Sequence, residues 1–170
     1  MDTFTFKGTS SSDFENLVVV ALPPITKPTL RVNEIEIDGR DGSLITDQGY
    51  ETYEKTIEIV QMGDLDVEEL KAWLDGEGEL TLSNESDKYY HAKIIEQIDY
   101  TRLELYKPVK VEFLVQPYKY KLNETEATST TNSVTVTNYG TCESKPLITI
   151  EGSGTITVTV NEKIVFTYNF

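Results

Sequence analysis

Hydrophobic and polar residues alternate with a period of two in several parts of the chain. Residues 33–38 place isoleucines between acidic side chains, and residues 55–61 and 110–116 repeat the pattern, the last of them up to Pro117. Such alternation is typical of strands that bury one face and expose the other. We therefore expect a mainly β chain, in which Pro117 ends its strand.

A continuous apolar run, residues 17–22, predicts a strand that is buried on both faces. Pro23, Pro24 and Pro28 follow this run, and they predict an extended arm. Further β segments are predicted at residues 4–8, 78–82 and 89–105.

One helix is predicted among these strands, at about residues 66–75. Asp66 can cap its first turn, and Glu69 completes the spacing of a capping box. Gly76 stands where a residue of positive φ would end the helix. Apolar residues at helical spacing, among them Trp73, share one face, so this short helix must be held by docking onto a sheet.

Composition changes at residues 123–132, which are rich in Thr, Ser, Glu and Asn and contain no large apolar side chain. We interpret this segment as a linker. Residues 1–122 then form one β domain, and residues 133–170 begin a second, antiparallel one. The second domain is expected to be truncated, because it has few strands and the chain ends at Phe170. Its strands are predicted at residues 133–137, 147–151, 155–160 and 164–168.

The chain carries 29 Asp and Glu against 15 Lys and Arg, a formal net charge of -14. A surface this acidic repels phosphate backbones and anionic membranes, so specific nucleic-acid binding and membrane attachment are not expected. No apolar stretch approaches the roughly 20 residues that a membrane-spanning helix requires. We expect a soluble protein that is made in the cytoplasm.

The residues that usually carry chemistry are few and dispersed. His91, the single histidine, has no partners at catalytic or metal-ligand spacing, so a structural role is expected. Cys142, the single cysteine, excludes an internal disulfide and is expected to be a small buried or half-buried residue. The acidic residues 64–69 lack the ligand spacing of an EF-hand and fit helix capping. No catalytic residue, metal or cofactor is predicted, and the chain is not expected to be an enzyme.

Several short motifs follow one another along nearly the whole chain. The first two are an aromatic strand with a Ser-x-Asp-Phe turn (residues 4–14) and a Gly-Arg-x-Gly turn (residues 39–44). A helix leading into a strand (residues 73–80), an Asp-x-Tyr-Tyr-x-Ala segment (residues 87–92) and a strand ending in Pro-Tyr (residues 111–118) follow them. In this order they resemble siphophage distal tail proteins (Dit). Residues 138–141, 145–146 and 152–154 are similar to the opening of that family's second, galectin-like domain.

The resemblance implies a structural subunit of a phage tail tip. In that family the amino-terminal domain forms a ring, usually of six copies, that joins the tail tube to tail-tip proteins and through which DNA can pass. The implied fold is a β-sandwich-like domain with one short α-helix, followed here by a partial galectin-like antiparallel β domain that faces outward. The implied partners are further copies of the chain, the major tail tube protein, a tail-associated lysin or tail fibre, and receptor-binding or baseplate proteins. The implied location is the virion tail tip of a phage or prophage, after synthesis in the host bacterial cytoplasm.

A ring requires that one surface of each subunit meets a different surface of the next. Residues 41–53 look too polar for the core of a monomer. We therefore expect them to form a projecting hairpin or belt that packs on a neighbouring subunit. The candidate contact residues are Asp41, Leu44, Tyr50 and Tyr53.

Two other classes of function remain open from the sequence. A carbohydrate-binding β-sandwich module is favoured by the tyrosine-rich composition, which includes 10 Tyr. An enzyme, for example a hydrolase, is the other class, but no recognisable catalytic set of residues in the sequence supports it.

Overall fold

The computed structural model describes residues 1–130, 135–160 and 163–169. The chain divides into two compact units, Met1–Thr125 and Glu126–Phe170. Strands make up 44% of the chain and helices 11%, which confirms the predicted mainly β fold class. The predicted linker and the predicted truncation of the second domain stay predictions.

The strands and α-helices are short, as alternating sequence with frequent turn residues predicts. Within the described residues they are β1 (Phe4–Phe6), β2 (Thr9–Ser10), β3 (Leu17–Ala21), β4 (Leu30–Glu36), β5 (Ser43–Tyr50), β6 (Tyr53–Gln61), α1 (Val67–Trp73), β7 (Glu77–Leu82), β8 (Lys88–Ile94), α2 (Tyr100–Glu104), β9 (Val109–Lys121), β10 (Thr155–Val160) and β11 (Lys163–Asn169).

The first unit is built on one seven-stranded antiparallel sheet, in the spatial order β2-β1-β7-β8-β9-β6-β3. Strands β4 and β5 pair only with each other in a separate two-stranded sheet. In the second unit, β10 and β11 form an antiparallel pair. The sheet of the first unit therefore forms the scaffold, and the β4–β5 hairpin is an addition to it.

The core covers one face of the seven-stranded sheet. Alternate residues of β6 and β9 are fully buried on that face, including Ile57 and Phe113. Phe4 and Phe6 of β1 pack edge-on against Phe113, with ring centroids 5.9 and 5.2 Å apart. Aromatic pairs in this geometry contribute roughly 0.5–1.5 kcal/mol beyond the area they bury.

Helix α1 forms where the sequence predicts it and is held by Trp73. The Asp66 carboxylate accepts hydrogen bonds from the backbone N–H groups of Glu68 and Glu69, at 3.0 and 3.1 Å. The Trp73 ring stacks on Phe4 and Phe14, and its indole N–H donates to the backbone oxygen of Phe6 at 2.9 Å. The indole is thus packed on both faces and hydrogen-bonded, which fixes the helix on the sheet.

Replacing Asp66 by alanine is expected to lower the free energy of unfolding by about 1 kcal/mol, because two N–H groups of the first turn lose their acceptor. Urea unfolding followed by the fluorescence of Trp73, the single tryptophan, measures this loss. Asp64→Ala is the matched control, because Asp64 is equally exposed and lies before the cap. Equal losses in the two variants would contradict the capping role.

The structure corrects the prediction of a continuous β segment over residues 89–105. Strand β8 ends at Ile94, and α2 occupies Tyr100–Glu104. The Asp99 carboxylate caps this helix by accepting from the backbone N–H of Arg102 at 3.1 Å, and Leu103 is fully buried. A cap and one buried side chain are enough to fix a single turn, although the segment is too short for helical periodicity to show in the sequence.

The expectation that Pro117 ends its strand is also wrong, since β9 runs through it to Lys121. The pairing of β9 with β8 shifts register here: Ala92 lies opposite Val115, while Tyr90 lies opposite Lys119. Pro117 thus occupies an irregularity in the ladder, where a proline without an N–H is tolerated.

Residues 17–22 are not buried on both faces. In β3, Leu17 and Val19 are buried, whereas Val20 is 49% exposed. Strand β3 is the last strand of the sheet and contributes only one face to the core. The uninterrupted apolar run at residues 17–22 therefore predicted more burial than the strand has.

In the second unit, β10 and β11 fall on the predicted strands at residues 155–160 and 164–168. Residues 147–151 form no strand, and Leu147 is 95% exposed. Apolar character favours a strand only where a neighbouring strand is available to pair with it. Part of the strand predicted at residues 133–137 lies outside the described residues, and the rest of it is not a strand.

Candidate subunit interface

The β4–β5 hairpin is the most unusual feature of the first unit. Its strands pair antiparallel from Glu36 opposite Ser43 down to Leu30 opposite Tyr50, with a shift in register between Leu30 and Val32. The turn between them is a polar loop in which Gly39 and Gly42 have φ values of +79° and +77°. Glycine suits both positions, because side chains disfavour this left-handed region.

Both faces of this hairpin are exposed, and both carry large apolar side chains. Ile35 lies opposite Leu44 on one face, and each is 46% exposed. Ile37 directly follows the end of β4 and is 44% exposed, while Val32 and Ile45 on the other face are 45% and 59% exposed. An isolated two-stranded hairpin is marginally stable in water. Apolar exposure of this extent is typical of interaction surfaces.

One aromatic contact joins the base of the hairpin to the sheet, and two further contacts hold the base itself together. The Tyr50 ring packs edge-on against Tyr118 of β9, with centroids 6.3 Å apart. The Lys27 ammonium lies 5.7 Å from the centroid of the same ring. The backbone N–H of Glu51 donates to the backbone oxygen of Thr29 at 2.9 Å. The hairpin is therefore anchored at one end and projects at the other.

The arm that leads to the hairpin is held by side chains of the scaffold. Pro23 and Pro24 keep it extended, and their backbone oxygens accept from the Asn84 amide at 3.1 Å and from the Lys55 ammonium at 2.9 Å. Because Lys55 belongs to β6 and Asn84 to the turn after β7, the arm leaves the sheet in a defined direction.

Lys55 belongs to a buried network of charged and phenolic groups that the sequence analysis missed. Glu85, which is 8% exposed, accepts hydrogen bonds from the Tyr90 hydroxyl and the Lys119 ammonium. The Lys55 ammonium lies 5.1 Å and the Lys119 ammonium 5.5 Å from the centroid of the Tyr90 ring. The Glu85 carboxylate thus pairs with Lys119, and Tyr90 contacts the carboxylate and both ammonium groups.

This arrangement shifts the ionisation of its members. Burial alone would raise the pKa of Glu85, but the hydrogen bonds from Lys119 and Tyr90 and the nearby cations hold that pKa below its ordinary value. Burial lowers the pKa of Lys55, and the charge of Glu85 partly offsets this effect. Burial and the hydrogen bond to Glu85 raise the pKa of Tyr90, so this tyrosine stays protonated. The ionised Glu85 carboxylate is thus stabilised by its hydrogen bonds and by the cations near it.

The stability that Glu85 contributes depends on pH with a definite sign. Its folded-state pKa lies below the ordinary 4.5, so the contribution is complete above about pH 4.5 and is lost as the pH falls through the folded-state pKa. The difference in the free energy of unfolding between the wild type and Glu85→Gln is expected to shrink as the pH falls below 4.5. Urea unfolding at a series of pH values measures it. A difference that does not change with pH would show that the ionised carboxylate adds no stability.

The structure distributes the four predicted contact residues along this region. Asp41 lies in the exposed turn at the tip, and Leu44 lies on β5 with its side chain half exposed. Tyr50 lies at the base, against Tyr118. Tyr53 begins β6 and is half-buried, with the Lys55 ammonium 5.7 Å from its ring centroid. Three of the four are thus brought onto one hairpin, and Tyr53 belongs to the scaffold; whether any contacts a neighbour stays a prediction.

The single histidine and the single cysteine, residue types that often carry chemistry, are not part of the hairpin. His91 is exposed on β8, where it packs edge-on against Tyr89 and Tyr120 with centroids 5.5 and 4.9 Å apart. Cys142 is exposed, so the expectation that it would be buried or half-buried is wrong. Within the described ranges, no group of three or more His, Cys, Asp or Glu side chains is placed to hold a metal ion. Neither α-helix among those residues has the length and apolar character needed to cross a bilayer.

No protein-family model matches the chain, and no curated protein matches it. Among solved structures, the fold is similar to the crystal structure of the SPP1 Dit (gp 19.1) protein, described as a paradigm of the hub adsorption apparatus in phages that infect Gram-positive bacteria. The match has a TM-score of 0.56 and 20% sequence identity and covers 72% of this chain. This chain spans about half of the SPP1 protein, 52% of its length. The resemblance to distal tail proteins, which the sequence motifs indicated, is confirmed at the level of the fold.

Proposed function

We propose that this protein is a structural subunit of the hub at a phage tail tip. The observation that carries the proposal is the combination of a fold shared with a phage hub protein and a projecting hairpin that exposes apolar side chains on both faces. A hub subunit needs a rigid body and a surface that meets its neighbours. The seven-stranded sheet provides the first, and the hairpin provides the second.

The copy number, the partners and the location are proposed from the resemblance to distal tail proteins. The ring has six copies, it joins the major tail tube protein to a tail-associated lysin or fibre and to receptor-binding or baseplate proteins, and DNA passes through its lumen. The protein is made in the bacterial cytoplasm of the host and ends in the virion. The acidic surface is compatible with this role, because a net charge of -14 disfavours retention of DNA.

Removing the projecting part of the hairpin is expected to abolish assembly and to leave the scaffold folded. Val32 and Asp47 are paired across the hairpin, so residues 33–46 can be replaced by an Asn-Gly turn between them. Size-exclusion chromatography with light scattering then measures the mass of the particles. An assembly of unchanged mass in this variant would contradict the role of the hairpin.

A matched pair of double variants separates the apolar surface of the hairpin from its backbone. Ile35→Ser with Leu44→Ser is expected to weaken assembly, because the two side chains share one exposed face. Ile95→Ser with Leu105→Ser is the control: these residues are 56% and 59% exposed but lie off the hairpin. Equal weakening in the two double variants would mean that the effect is a general loss of apolar surface.

Carbohydrate binding is a second candidate function, and one observation favours it. Tyr89 and Tyr120 stack with centroids 5.4 Å apart, and with the exposed His91 they form an aromatic cluster on the outer side of the sheet. Exposed aromatic clusters of this kind often mark ligand-binding surfaces. Binding to a glycan array that is lost in Tyr120→Ala would support this function, and an array without binding would oppose it.

A further inference from the structure

Both ends of the hairpin carry exposed charges. The tip carries Asp38 and Asp41 with Arg40 between them, and all three are exposed. The base carries Lys27, Arg31 and Glu51, also exposed, so cations outnumber the anion there in a protein that is strongly acidic as a whole. Within the part of the chain that the structure describes, none of these six residues forms an ion pair. Both ends therefore have charges available to a partner.

A cleft opens beside the base of the hairpin, between it and β9. Its volume is about 490 Å³, and its lining residues are Arg31, Tyr50, Glu51, Thr52, Gln116 and Pro117. The Arg31 guanidinium donates one hydrogen bond, at 3.3 Å, to the backbone oxygen of Gln48. A guanidinium has five N–H donors, so most of them remain for a carboxylate that enters the cleft.

The tip of a hairpin cannot reach the cleft at its own base. Strand β4 has 7 residues, and a strand rises roughly 3.3 Å per residue, so the tip lies roughly 20 Å from the base. The short turn pairs Ile37 with Arg40 through a backbone hydrogen bond of 3.1 Å and does not fold back. A contact between tip and base therefore requires a second copy of the chain.

We infer that the hairpin tip of one copy docks into the cleft at the hairpin base of the next copy. The carboxylates of Asp38 and Asp41 face the Arg31 guanidinium of the neighbour, and Arg40 faces its Glu51. The tip and the cleft each carry both signs, so the contact is complementary in the register that sets each charge against its opposite. Such a contact joins two different surfaces of the same chain, and it can therefore be repeated around a ring.

This inference rests on the proposed function, because it names the surface that the hairpin meets in the assembly. Docking of the tip into the cleft also fixes which surface of one copy meets which surface of the next. The exposed apolar faces alone do not fix this. The Ile35 and Leu44 face then packs alongside the neighbour as the charged tip enters the cleft. Because exposed ion pairs are screened by salt, assembly is expected to weaken as ionic strength rises.

Charge reversal at each end, followed by mixing, tests the inference. Asp41→Arg reverses the tip and Arg31→Asp reverses the base, and each variant alone is expected to associate at least about tenfold more weakly than wild type. In a mixture of the two, every tip meets a base of opposite charge if the copies alternate. Light scattering of the mixture is therefore expected to show assembly restored. The double variant Asp41→Arg with Arg31→Asp is expected to assemble alone for the same reason.

Glu15→Arg is the matched control, because it makes the same charge change at an exposed residue off the hairpin. Circular dichroism checks that each variant stays folded. Assembly by either single variant at wild-type strength would overturn the inference, and so would failure of both the mixture and the double variant. Either result leaves the proposed function standing, provided that wild type assembles. Failure of wild type itself to assemble would count against the proposed function.

Discussion

Replacing Trp73 by alanine is expected to destabilise the first unit by about 3–5 kcal/mol, because a large indole is removed from a close-packed site. The ring stacks on Phe4 at 5.1 Å and on Phe14 at 4.6 Å, and its N–H donates to the backbone oxygen of Phe6. Its loss leaves a cavity between α1 and β1. Urea unfolding followed by circular dichroism measures the change.

The matched control is Trp73→Phe, which keeps a ring in the site and removes the hydrogen bond. This variant is expected to lose less stability than Trp73→Ala, because much of the stacking remains. A loss in Trp73→Ala of less than about 1 kcal/mol would show that α1 does not depend on its tryptophan for docking.

Replacing Glu85 by alanine is expected to cost about 3 kcal/mol, the low end for a broken buried pair, because it removes the anion near the buried Lys55 and the partly exposed Lys119. Lys55 is 1% exposed, and its ammonium would keep only the backbone oxygen of Pro24 and two aromatic rings as partners. The same urea measurement reports the loss.

The control for this prediction is Glu68→Ala. Glu68 pairs with Lys71 at 2.7 Å, but its side chain is 84% exposed. An exposed pair of this kind is worth less than about 1 kcal/mol. Losses of equal size at the two positions would contradict the view that burial makes Glu85 important.

The Glu85 network also bears on assembly, through the arm. Lys55 holds the backbone oxygen of Pro24, and Asn84, immediately before Glu85, holds that of Pro23. Weakening the network is therefore expected to loosen the direction in which the hairpin leaves the scaffold. The effect of Glu85→Ala on assembly tests whether the network positions the hairpin, whereas Asp41→Arg and Arg31→Asp test the contact between copies.

The sequence predicts α1 well because its signals are local. A capping carboxylate at Asp66, apolar residues at helical spacing and a glycine at Gly76 all lie within eleven residues. The structure bears these signals out, with Gly76 at a φ of +77°. Strand β6 is predicted equally well, since its alternation places Ile57 and Ile59 on the core face.

The buried network could not be predicted, because its members are far apart in the sequence. Glu85 and Lys119 are separated by 34 residues, and Lys55 and Pro24 by 31. The spacing of two between Lys55, Ile57 and Ile59 places the lysine on the core face of the strand, but it does not show which charged group lies there to meet it. Only the pairing of the strands brings these charges together.

The candidate interface was partly predictable. The polar segment after the Gly39–Gly42 turn indicated a projection, and Asp41 and Leu44 do lie on one. The sequence did not show that the hairpin begins as early as Leu30, or that Arg31 lines a cleft at its base. Those features depend on the register between β4 and β5 and on the position of β9.

The role as a ring-forming hub subunit is tested most directly by the mass of wild-type particles, measured by light scattering over a range of protein concentrations. A closed assembly with six times the mass of one chain is expected to appear as concentration rises and to be visible as rings in negative stain. Because ring closure follows mass action, single chains are expected at low concentration. A protein that remains a single chain at every concentration, with no rings, would contradict the proposed role.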